Sequence, residues 1–374
     1  MTKQNSRFGS FDTLKFIAVL LCTTIGHYYQ FTPISYQRVC ETGWMTAVVN
    51  FMEYITSKHT HSLMELLFLI GGFQIYIAYH DRIKEAKITF FEYFKKRVIR
   101  LYPPMIISVV VMSIGLILFE KLFSFEWRGV YFLFKAFVMS ILGVQAWTSD
   151  VHVLNGPLWY LSVYILCIIV YYFIERFSDK YKAGIFPMFV PVIMALSHYF
   201  NPSVTFTFLN KDICRGFYGF FIGCILACAY RTFNRKQITI VSTVLILASI
   251  VLYTVFYEAY LVDETERAII TCLILYGPVI LLLASYPALD RIIGCRPLAF
   301  LGKASFHLYC LNFPFLLWAM LIPSAFGYTL LYDSFYIYIL FIIVQVVLSI
   351  ALYYLIDKKL CPYLEKALNK TVDK

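Results

Sequence analysis

Long apolar stretches with few charges recur along the whole chain and constrain its fold more than any other feature. Several reach about 20 residues, the length with which an α-helix crosses a hydrocarbon core of about 30 Å. Hydrophobic residues make up 60% of the 374 positions and charged residues only 14%, whereas a soluble domain is about half apolar. The sequence therefore excludes a soluble protein and predicts an all-α, polytopic transmembrane helix bundle.

The apolar stretches predict ten spanning helices in one integral-membrane domain, residues 1–374, with a helical core over 11–356 and a tail over 357–374. The first stretch is read as a helix and not as a signal peptide, because it lacks a small-residue cleavage site. The predicted spans are 11–30, 62–79, 98–119, 158–174, 183–200, 217–229, 238–256, 268–285, 298–321 and 334–356.

Clusters of lysine and arginine between these segments predict the topology, since short cytoplasmic loops carry an excess of both. Basic clusters at the N-terminus and in the tail place both termini in the cytoplasm, and the acidic segment 258–266 is expected outside. This arrangement holds only if segment 129–147 does not cross, so we expect it to be re-entrant or interfacial. Lys135 supports this, because a charge at the centre of the bilayer costs about 3 kcal/mol. The alternative is an ordinary eleventh helix with Lys135 facing protein.

The overall charge limits which partners the protein can bind, and the cysteines bear on disulfide and metal sites. The net charge of +10 would suit nucleic acid, but its placement between apolar segments favours membrane lipids or an anionic cofactor and no nucleic acid. The ten cysteines contain no CxxC pair, and most lie in apolar runs where cysteine acts as a small hydrophobic residue. We therefore expect neither a disulfide framework nor a metal site.

Two ionisable residues lie in apolar segments, where a binding partner or a function must offset the free-energy cost of their desolvation. His27 lies toward the outer end of the first predicted helix, and burial there favours a neutral imidazole that can accept a proton. Glu65 begins the second predicted span at its outer end, so it could orient that imidazole. The alternatives are a histidine bonded to a neighbouring helix and a carboxylate wetted by headgroups.

A basic cluster opens the third predicted helix from the cytoplasmic side. Arg97 and Arg100 are three positions apart, share a helical face and could bind phosphate oxygens, with Lys95 and Lys96 beside them. A plain positive-inside anchor is the alternative. Two prolines that follow favour a functional role, since they set a break where a cofactor could enter.

Polar residues also mark two further helices. Asn155, Trp159 and Ser162 lie at an outer helix entrance and are candidates for substrate binding. Asn155, Ser162 or a tyrosine could stabilise an oxyanion. Near the C-terminus, His307 and Asn312 follow Lys303 in a polar stripe that could also serve as contacts between helices.

Taken in order, these motifs resemble membrane acyltransferase family 3, bacterial integral proteins that move acyl groups, usually acetyl, from cytoplasmic acyl-CoA to extracytoplasmic glycans. Residues 11–15 with His27 look like its opening Leu-Asp-Gly-Leu-Arg and histidine, and Arg97 with Arg100 matches its Arg-x-x-Arg. Residues 159–163 resemble its Leu-Trp-x-Leu-Ser-Val-Glu, with Tyr164 for the glutamate. Residues 301–314 resemble its Leu-Gly-x-x-Ser-Tyr-x-x-Tyr-Leu-x-His-x-Pro, with Asn312 for the histidine.

The resemblance implies His27 as the catalytic histidine and the Arg97–Arg100 side as the site of acyl-CoA, with acetyl-CoA the usual donor. It further implies a glycan acceptor, extracytoplasmic or lipid-linked, and a bacterial inner membrane. Lysine replaces arginine at Lys15, one position further from His27 than usual, so Lys15 and His27 are not expected to share a helix face unless a bulge intervenes.

Many relatives carry a soluble hydrolase-like domain after the last helix, and the tail here is too short for one. Transfer is thus expected to finish in the membrane part or on a separate protein. The competing hypotheses are a proton-coupled transporter or flippase that uses His27 and Glu65 as a relay, and a partner subunit of a polysaccharide assembly complex. No internal repeat is evident, which counts against a transporter.

Overall fold

The computed structural model describes residues 8–23, 27, 43–123, 129–147, 154–200, 209–252, 255, 264–328 and 335–372. Within these ranges, the side chains of 43–61, 129–132, 264–266, 335 and 369–372 are not described. The described residues form helices and turns, and none of them is in a strand.

Fourteen α-helices follow one another along the described parts of the chain. Two 3₁₀ turns, Gly156–Leu158 and Phe186–Met188, lead into helices, and two π-helical segments, Cys272–Tyr276 and Ile356–Leu360, join consecutive helices. The α-helices are α1 Gly9–Leu21, α2 Gly43–Lys84, α3 Phe90–Phe123, α4 Gly129–Leu142, α5 Trp159–Lys180, α6 Phe189–Phe200, α7 Lys211–Thr232, α8 Arg235–Val251, α9 Glu264–Thr271, α10 Gly277–Ser285, α11 Pro287–Ile293, α12 Arg296–Ala325, α13 Phe335–Leu355 and α14 Cys361–Val372.

Seven helical segments of the described chain are long and apolar enough to cross a membrane, which confirms the all-α polytopic fold class. Each coincides with one of the predicted spans, while the predicted span 183–200 corresponds to the shorter apolar helix Phe186–Phe200. Parts of the predicted spans 11–30 and 238–256 lie outside the described residues. The count of ten crossings therefore stays a prediction.

Helix α4 covers the segment that was expected not to cross. Its 14 residues extend about 21 Å at 1.5 Å per residue, shorter than a hydrocarbon core of about 30 Å. Lys135 lies on this helix and is partly exposed. A re-entrant or interfacial position for the segment fits this length and stays a prediction.

Helix α2 begins far earlier than the sequence suggested. It starts at Gly43 and runs for 42 residues, so the expectation that Glu65 begins a helix was wrong. No proline interrupts the chain between Gly43 and Lys84, and the polar residues ahead of the apolar run are compatible with a helix. Hydropathy locates the membrane-crossing part of a helix but not the point where the helix itself begins.

The chain divides into two compact units, which we describe separately. Unit 1 comprises Met1–Ala18, His61–Glu92 and Val163–Gly302. Its described part brings the C-terminal half of α2 against α7 with very little space between the two backbones. A Cβ atom on Gly72 would lie 1.9 Å from the carbonyl oxygen of Phe220, and one on Gly223 would lie 2.2 Å from that of Leu69. Only glycine allows this approach, which is a common way for membrane helices to pack closely.

Unit 2 comprises Val19–Thr60, Tyr93–Ser162 and Lys303–Lys374. Most of α3, α12 and α13 belong to it. The Trp318 indole of α12 donates to the Val111 carbonyl of α3 at 3.0 Å. Tyr338 and Phe341 of α13 form a buried cluster with Leu316 of α12. These contacts place α12 between α3 and α13, and α12 carries the polar residues of the candidate site.

Candidate active site

His27 is held by an asparagine on α12. The ring Nδ1 of His27 lies 2.8 Å from Oδ1 of Asn312. The ring of Phe313, the next residue of α12, stands edge-on to the imidazole with 4.9 Å between ring centroids. Asn312 itself is fully buried. Unit 2 therefore fixes both the position and the plane of the imidazole.

The hydrogen bonds of Asn312 determine which ring nitrogen of His27 carries the proton. The side-chain Nδ2 of Asn312 donates to the backbone carbonyl of Thr23 at 3.2 Å and to Oε1 of Gln345 at 3.3 Å. A backbone carbonyl only accepts, so the amide nitrogen must face Thr23 and Oδ1 must face His27. Because Oδ1 also only accepts, Nδ1 of His27 donates, and the neutral ring keeps its lone pair on Nε2.

This arrangement makes His27 suited to accepting a proton at Nε2. In serine hydrolases a carboxylate bound to the other ring nitrogen plays the same orienting part and also stabilises the imidazolium that forms. An amide supplies the orientation without the negative charge. Asn312 and Gln345 were not assigned this task from the sequence, although a polar amide inside the apolar helix α13 is itself a signal of a buried partner.

Glu65 belongs to unit 1, where its carboxylate is bound by an arginine. Oε1 of Glu65 lies 2.6 Å from Nε of Arg215, and Nη2 of Arg215 is 3.4 Å from Oε2. The side chains are 0% and 9% exposed, respectively, so a carboxylate wetted by headgroups does not fit. The orienting contact that the sequence led us to expect from Glu65 is made in unit 2 by Asn312. A role of Glu65 toward His27 stays a prediction.

Arg215 was missed because the predicted span began two residues after it. Helix α7 begins at Lys211, so Arg215 lies within the helix and is buried. Charge removal from one member of a buried pair leaves the other uncompensated, which typically costs about 3–5 kcal/mol. The pair therefore stabilises the packing of α2 against α7 as long as both members are present.

The basic cluster on α3 contains one buried and one exposed arginine. Arg97 is buried; its Nη1 donates to the Tyr93 carbonyl at 2.7 Å, and its guanidinium lies 3.8 Å from the centre of the Tyr93 ring. Arg100 and Lys96 are exposed, and Lys95 is partly exposed. The two arginines thus differ in exposure, and the contacts with Tyr93 leave Arg97 pre-oriented. Joint binding of phosphate by Arg97 and Arg100 stays a prediction.

The polar residues at the entrance of α5 have structural partners. The side-chain Nδ2 of Asn155 donates to the Cys310 carbonyl at 2.8 Å and to the Ser108 hydroxyl at 3.3 Å. Its Oδ1 is buried and has no hydrogen-bond partner among the described residues. Asn155 can therefore accept a hydrogen bond from a hydroxyl, whereas both of its donors, which an oxyanion would need, are in use.

Ser162 and Trp159 occupy the next turn of α5. The Ser162 hydroxyl accepts the backbone N–H of Ala146 at 3.2 Å and is fully buried. Trp159 is partly exposed and packs edge-on against Tyr160. Ser162 thus joins α5 to the turn after α4, and Trp159 is the more accessible of the two.

Two further polar residues have partners that the sequence did not indicate. Nε2 of His307 lies 3.2 Å from Oδ1 of Asp357 in the π-helical segment, and the imidazole is almost fully buried. In unit 1, Lys15 donates to Oε1 of Gln74 at 2.6 Å and lies 3.9 Å from Asp12. Lys15 is therefore engaged within its own unit.

Comparison with known proteins yields one match. A family model described as an acyltransferase domain, of acyltransferase family 3, matches residues 8–354. No curated protein and no solved structure matches the chain. The matched range includes His27, the basic cluster of α3 and Asn312. With nearly the whole chain inside one family model, the protein belongs to acyltransferase family 3 and is a membrane acyltransferase.

Proposed function

We propose that this protein transfers an acyl group from cytoplasmic acyl-CoA to a hydroxyl of a cell-envelope glycan, either extracytoplasmic or lipid-linked. The observation that carries the proposal is the single tautomer of His27 enforced by Asn312. We further propose the bacterial inner membrane as its location, with both termini cytoplasmic. The membership in acyltransferase family 3 supports the reaction type.

In the proposed reaction, Nε2 of His27 removes the proton of the acceptor hydroxyl. The hydroxyl oxygen attacks the thioester carbonyl, the carbon–sulfur bond breaks, and the thiolate of coenzyme A receives the proton from the imidazolium. General-base help of this kind contributes about 10² to 10⁴ in rate. An acyl-histidine intermediate would use the same lone pair.

The donor would bind through its phosphates on α3. Arg97 is already oriented by Tyr93, so it loses less side-chain freedom on binding than a mobile arginine. Arg100, Lys95 and Lys96 would add charge at the more exposed edge of the same helix. Arginine suits this task because its planar fork pairs two phosphate oxygens at once.

The acceptor would meet the entrance of α5. Oδ1 of Asn155 is a buried acceptor, and a sugar hydroxyl is a donor of suitable chemistry. Trp159 offers an aromatic face of the kind that packs against the apolar side of a sugar ring. Ser162 would act by holding the first turns of α5, which begin at Trp159, against the turn after α4.

Inside-out membrane vesicles supplied with acyl-CoA labelled in its acyl group test the proposal. Label that moves to lipid-linked or polymeric sugar is expected for the wild type. Substitution His27→Ala should lower transfer at least about 10²-fold while the protein level in the membrane stays constant. Retained transfer in this variant would defeat the assignment, and solute uptake coupled to protons without label transfer would support the transporter instead.

A further inference from the structure

Unit 1 contains a polar cavity of about 340 Å³ that has no part in the proposed transfer at His27. Its walls come mainly from the C-terminal ends of α2 and α5 and from the loop after α5. The volume is within the range of about 300–1,000 Å³ that small-molecule sites usually have. Lys84, Glu175, Asp179 and Lys182 contribute to the wall, so the cavity offers charges of both signs to a ligand.

The charges of this wall differ in depth. The side chain of Glu175 is 5% exposed and Asp179 is partly exposed, whereas both lysines are exposed. Within the described part of the chain, the side chains of Lys84, Asp179 and Lys182 form no ion pair. Opposite charges that share a cavity without pairing are available to a ligand. The negative charge lies deeper and the positive charge lies nearer to the mouth.

The buried carboxylate is held in place and keeps acceptor capacity. Nδ1 of His80 lies 2.7 Å from Oε1 of Glu175, and the ring of Tyr76 stacks on the imidazole with 4.4 Å between the ring centroids. A carboxylate has about four lone-pair sites, so the contact with His80 leaves Glu175 able to accept further hydrogen bonds. An ammonium group only donates, which suits the deeper end of the cavity.

The loop after α5 holds Lys182 in a costly backbone conformation. Lys182 has a φ of 53°, in the left-handed region that residues other than glycine seldom adopt. Its backbone N–H donates to the Asp179 carbonyl at 3.2 Å, and the Ser178 hydroxyl donates to the Gly184 carbonyl. Residues in such conformations cluster at sites that bind ligands. This turn fixes the backbone from which the Lys182 side chain reaches the cavity.

The cavity lies at the end of two membrane-crossing segments. These segments, Ser62–Lys84 and Gly156–Lys180, both end beside it. Tyr181 and Phe186 of the adjoining loop are 68% and 77% exposed, and Nζ of Lys180 lies 5.3 Å from the centre of the Tyr181 ring. Exposed aromatic rings beside lysine are typical of the headgroup layer of a membrane. A lipid headgroup is therefore the ligand within closest reach.

We propose that this cavity binds the headgroup of a phospholipid that carries a phosphate and a primary ammonium group, as phosphatidylethanolamine does. The ammonium group at the tip of the headgroup enters first and meets Glu175 and Asp179. The phosphate, which is nearer to the glycerol, stays at the mouth with Lys84 and Lys182. The order of charges along the headgroup thus matches the order of charges in the wall.

Other common headgroups fit this order less well. The trimethylated ammonium of phosphatidylcholine has no N–H to donate, so the carboxylates would lose their hydrogen bonds. Phosphatidylglycerol has a phosphate for the lysines but brings no positive charge to Glu175 and Asp179. A simple cation would leave the lysines without a partner. Only a ligand with both charges and N–H donors satisfies the whole wall.

Native mass spectrometry of the full-length protein, purified in detergent and titrated with lipids of identical acyl chains, tests the proposal. We expect dioleoyl-phosphatidylethanolamine to bind with a Kd at least about tenfold lower than the phosphatidylcholine and phosphatidylglycerol analogues, because a charge-assisted hydrogen bond is worth about that factor. Equal affinity for the three lipids, or tighter binding of either analogue, overturns the proposal. Displacement of the lipid by soluble phosphoethanolamine at an equal concentration also overturns it, since the ligand would then be a soluble zwitterion.

Three substitutions locate the site. Asp179→Asn should lower the preference for phosphatidylethanolamine over phosphatidylcholine about tenfold, because it removes a charge that receives the ammonium group. Lys182→Ala should raise the Kd of phosphatidylethanolamine about tenfold, because the phosphate loses a partner. Lys180→Ala is the matched control: it removes the same charge from an exposed side chain at the end of α5 that is not part of the wall, and it should leave the Kd unchanged.

The preference is a ratio measured within one preparation, so a partial loss of folded protein cancels. An unchanged ratio in Asp179→Asn, an unchanged Kd in Lys182→Ala, or an equal loss of affinity in Lys180→Ala overturns the site.

Discussion

The hydrogen bond between Asn312 and His27 predicts a loss of catalytic rate when Asn312 is replaced by leucine. The substitution keeps the volume but removes the acceptor that lies 2.8 Å from Nδ1, so the imidazole can adopt the other tautomer or turn. A buried hydrogen bond is worth about 1–3 kcal/mol when one partner is removed, and about 1.4 kcal/mol corresponds to a factor of ten. We therefore expect kcat to fall about 10- to 100-fold.

The loss should appear in the chemical step and not in donor binding. The assay is label transfer from acyl-CoA over a range of donor concentrations. KM is expected to stay within about twofold, because the side chain of Asn312 bonds to His27, Thr23 and Gln345, none of which belongs to the basic cluster of α3. Asn234→Leu is the matched control. It removes an amide of the same size that caps α8 by accepting the backbone N–H of Gln237 at 2.9 Å, and it should leave kcat unchanged.

A second substitution separates orientation from charge. Asn312→Asp retains an oxygen acceptor for Nδ1 and adds a negative charge that stabilises the imidazolium. Because the base must be neutral to accept a proton, the acidic limb of the pH–rate profile should move to higher pH. An Asn312→Leu protein with wild-type kcat, or with a loss confined to KM, would refute the reasoning.

The other two predictions concern the ion pair of unit 1 and the basic cluster of unit 2. Glu65→Gln or Arg215→Met alone should destabilise the protein by about 3–5 kcal/mol because each leaves a buried charge unpaired, whereas the double variant should recover much of that loss. Thermal unfolding in detergent measures these changes, and single variants as stable as the wild type would contradict the pairing. Arg97→Ala and Arg100→Ala should each raise KM for acyl-CoA about tenfold at nearly constant kcat, as measured by label transfer. Lys121→Ala, at the opposite end of α3, is the control and should change neither parameter, whereas a loss of kcat alone in the arginine variants would argue against phosphate binding.

The fold class and the candidate histidine are decided largely by local sequence. The recurring apolar stretches of about membrane-crossing length allow only helices in a chain without soluble-domain composition. His27 is recognisable because an ionisable group in such a stretch is costly and requires a reason. The Arg97–Arg100 pair is recognisable for a similar reason, since a spacing of three places both on one face of a helix.

The partners of these residues are decided by tertiary structure. His27 and Asn312 are 285 residues apart in the chain, and Glu65 and Arg215 are 150 apart. Hydropathy also misplaced the beginning of α2 and put Arg215 outside its helix, because it measures preference for the membrane and not backbone continuity.

A single polar residue in an apolar helix shows that a buried partner is required, but it does not say which one. The choice depends on which helix faces meet, and that depends on how side chains and glycines along whole helices fit together. Sequence thus determined that this protein is a helical membrane protein, and it made His27 the candidate proton acceptor. Only packing decided that an amide, and not a carboxylate, holds that histidine, because hydrogen bonds form between groups that the packed helices bring within about 3 Å.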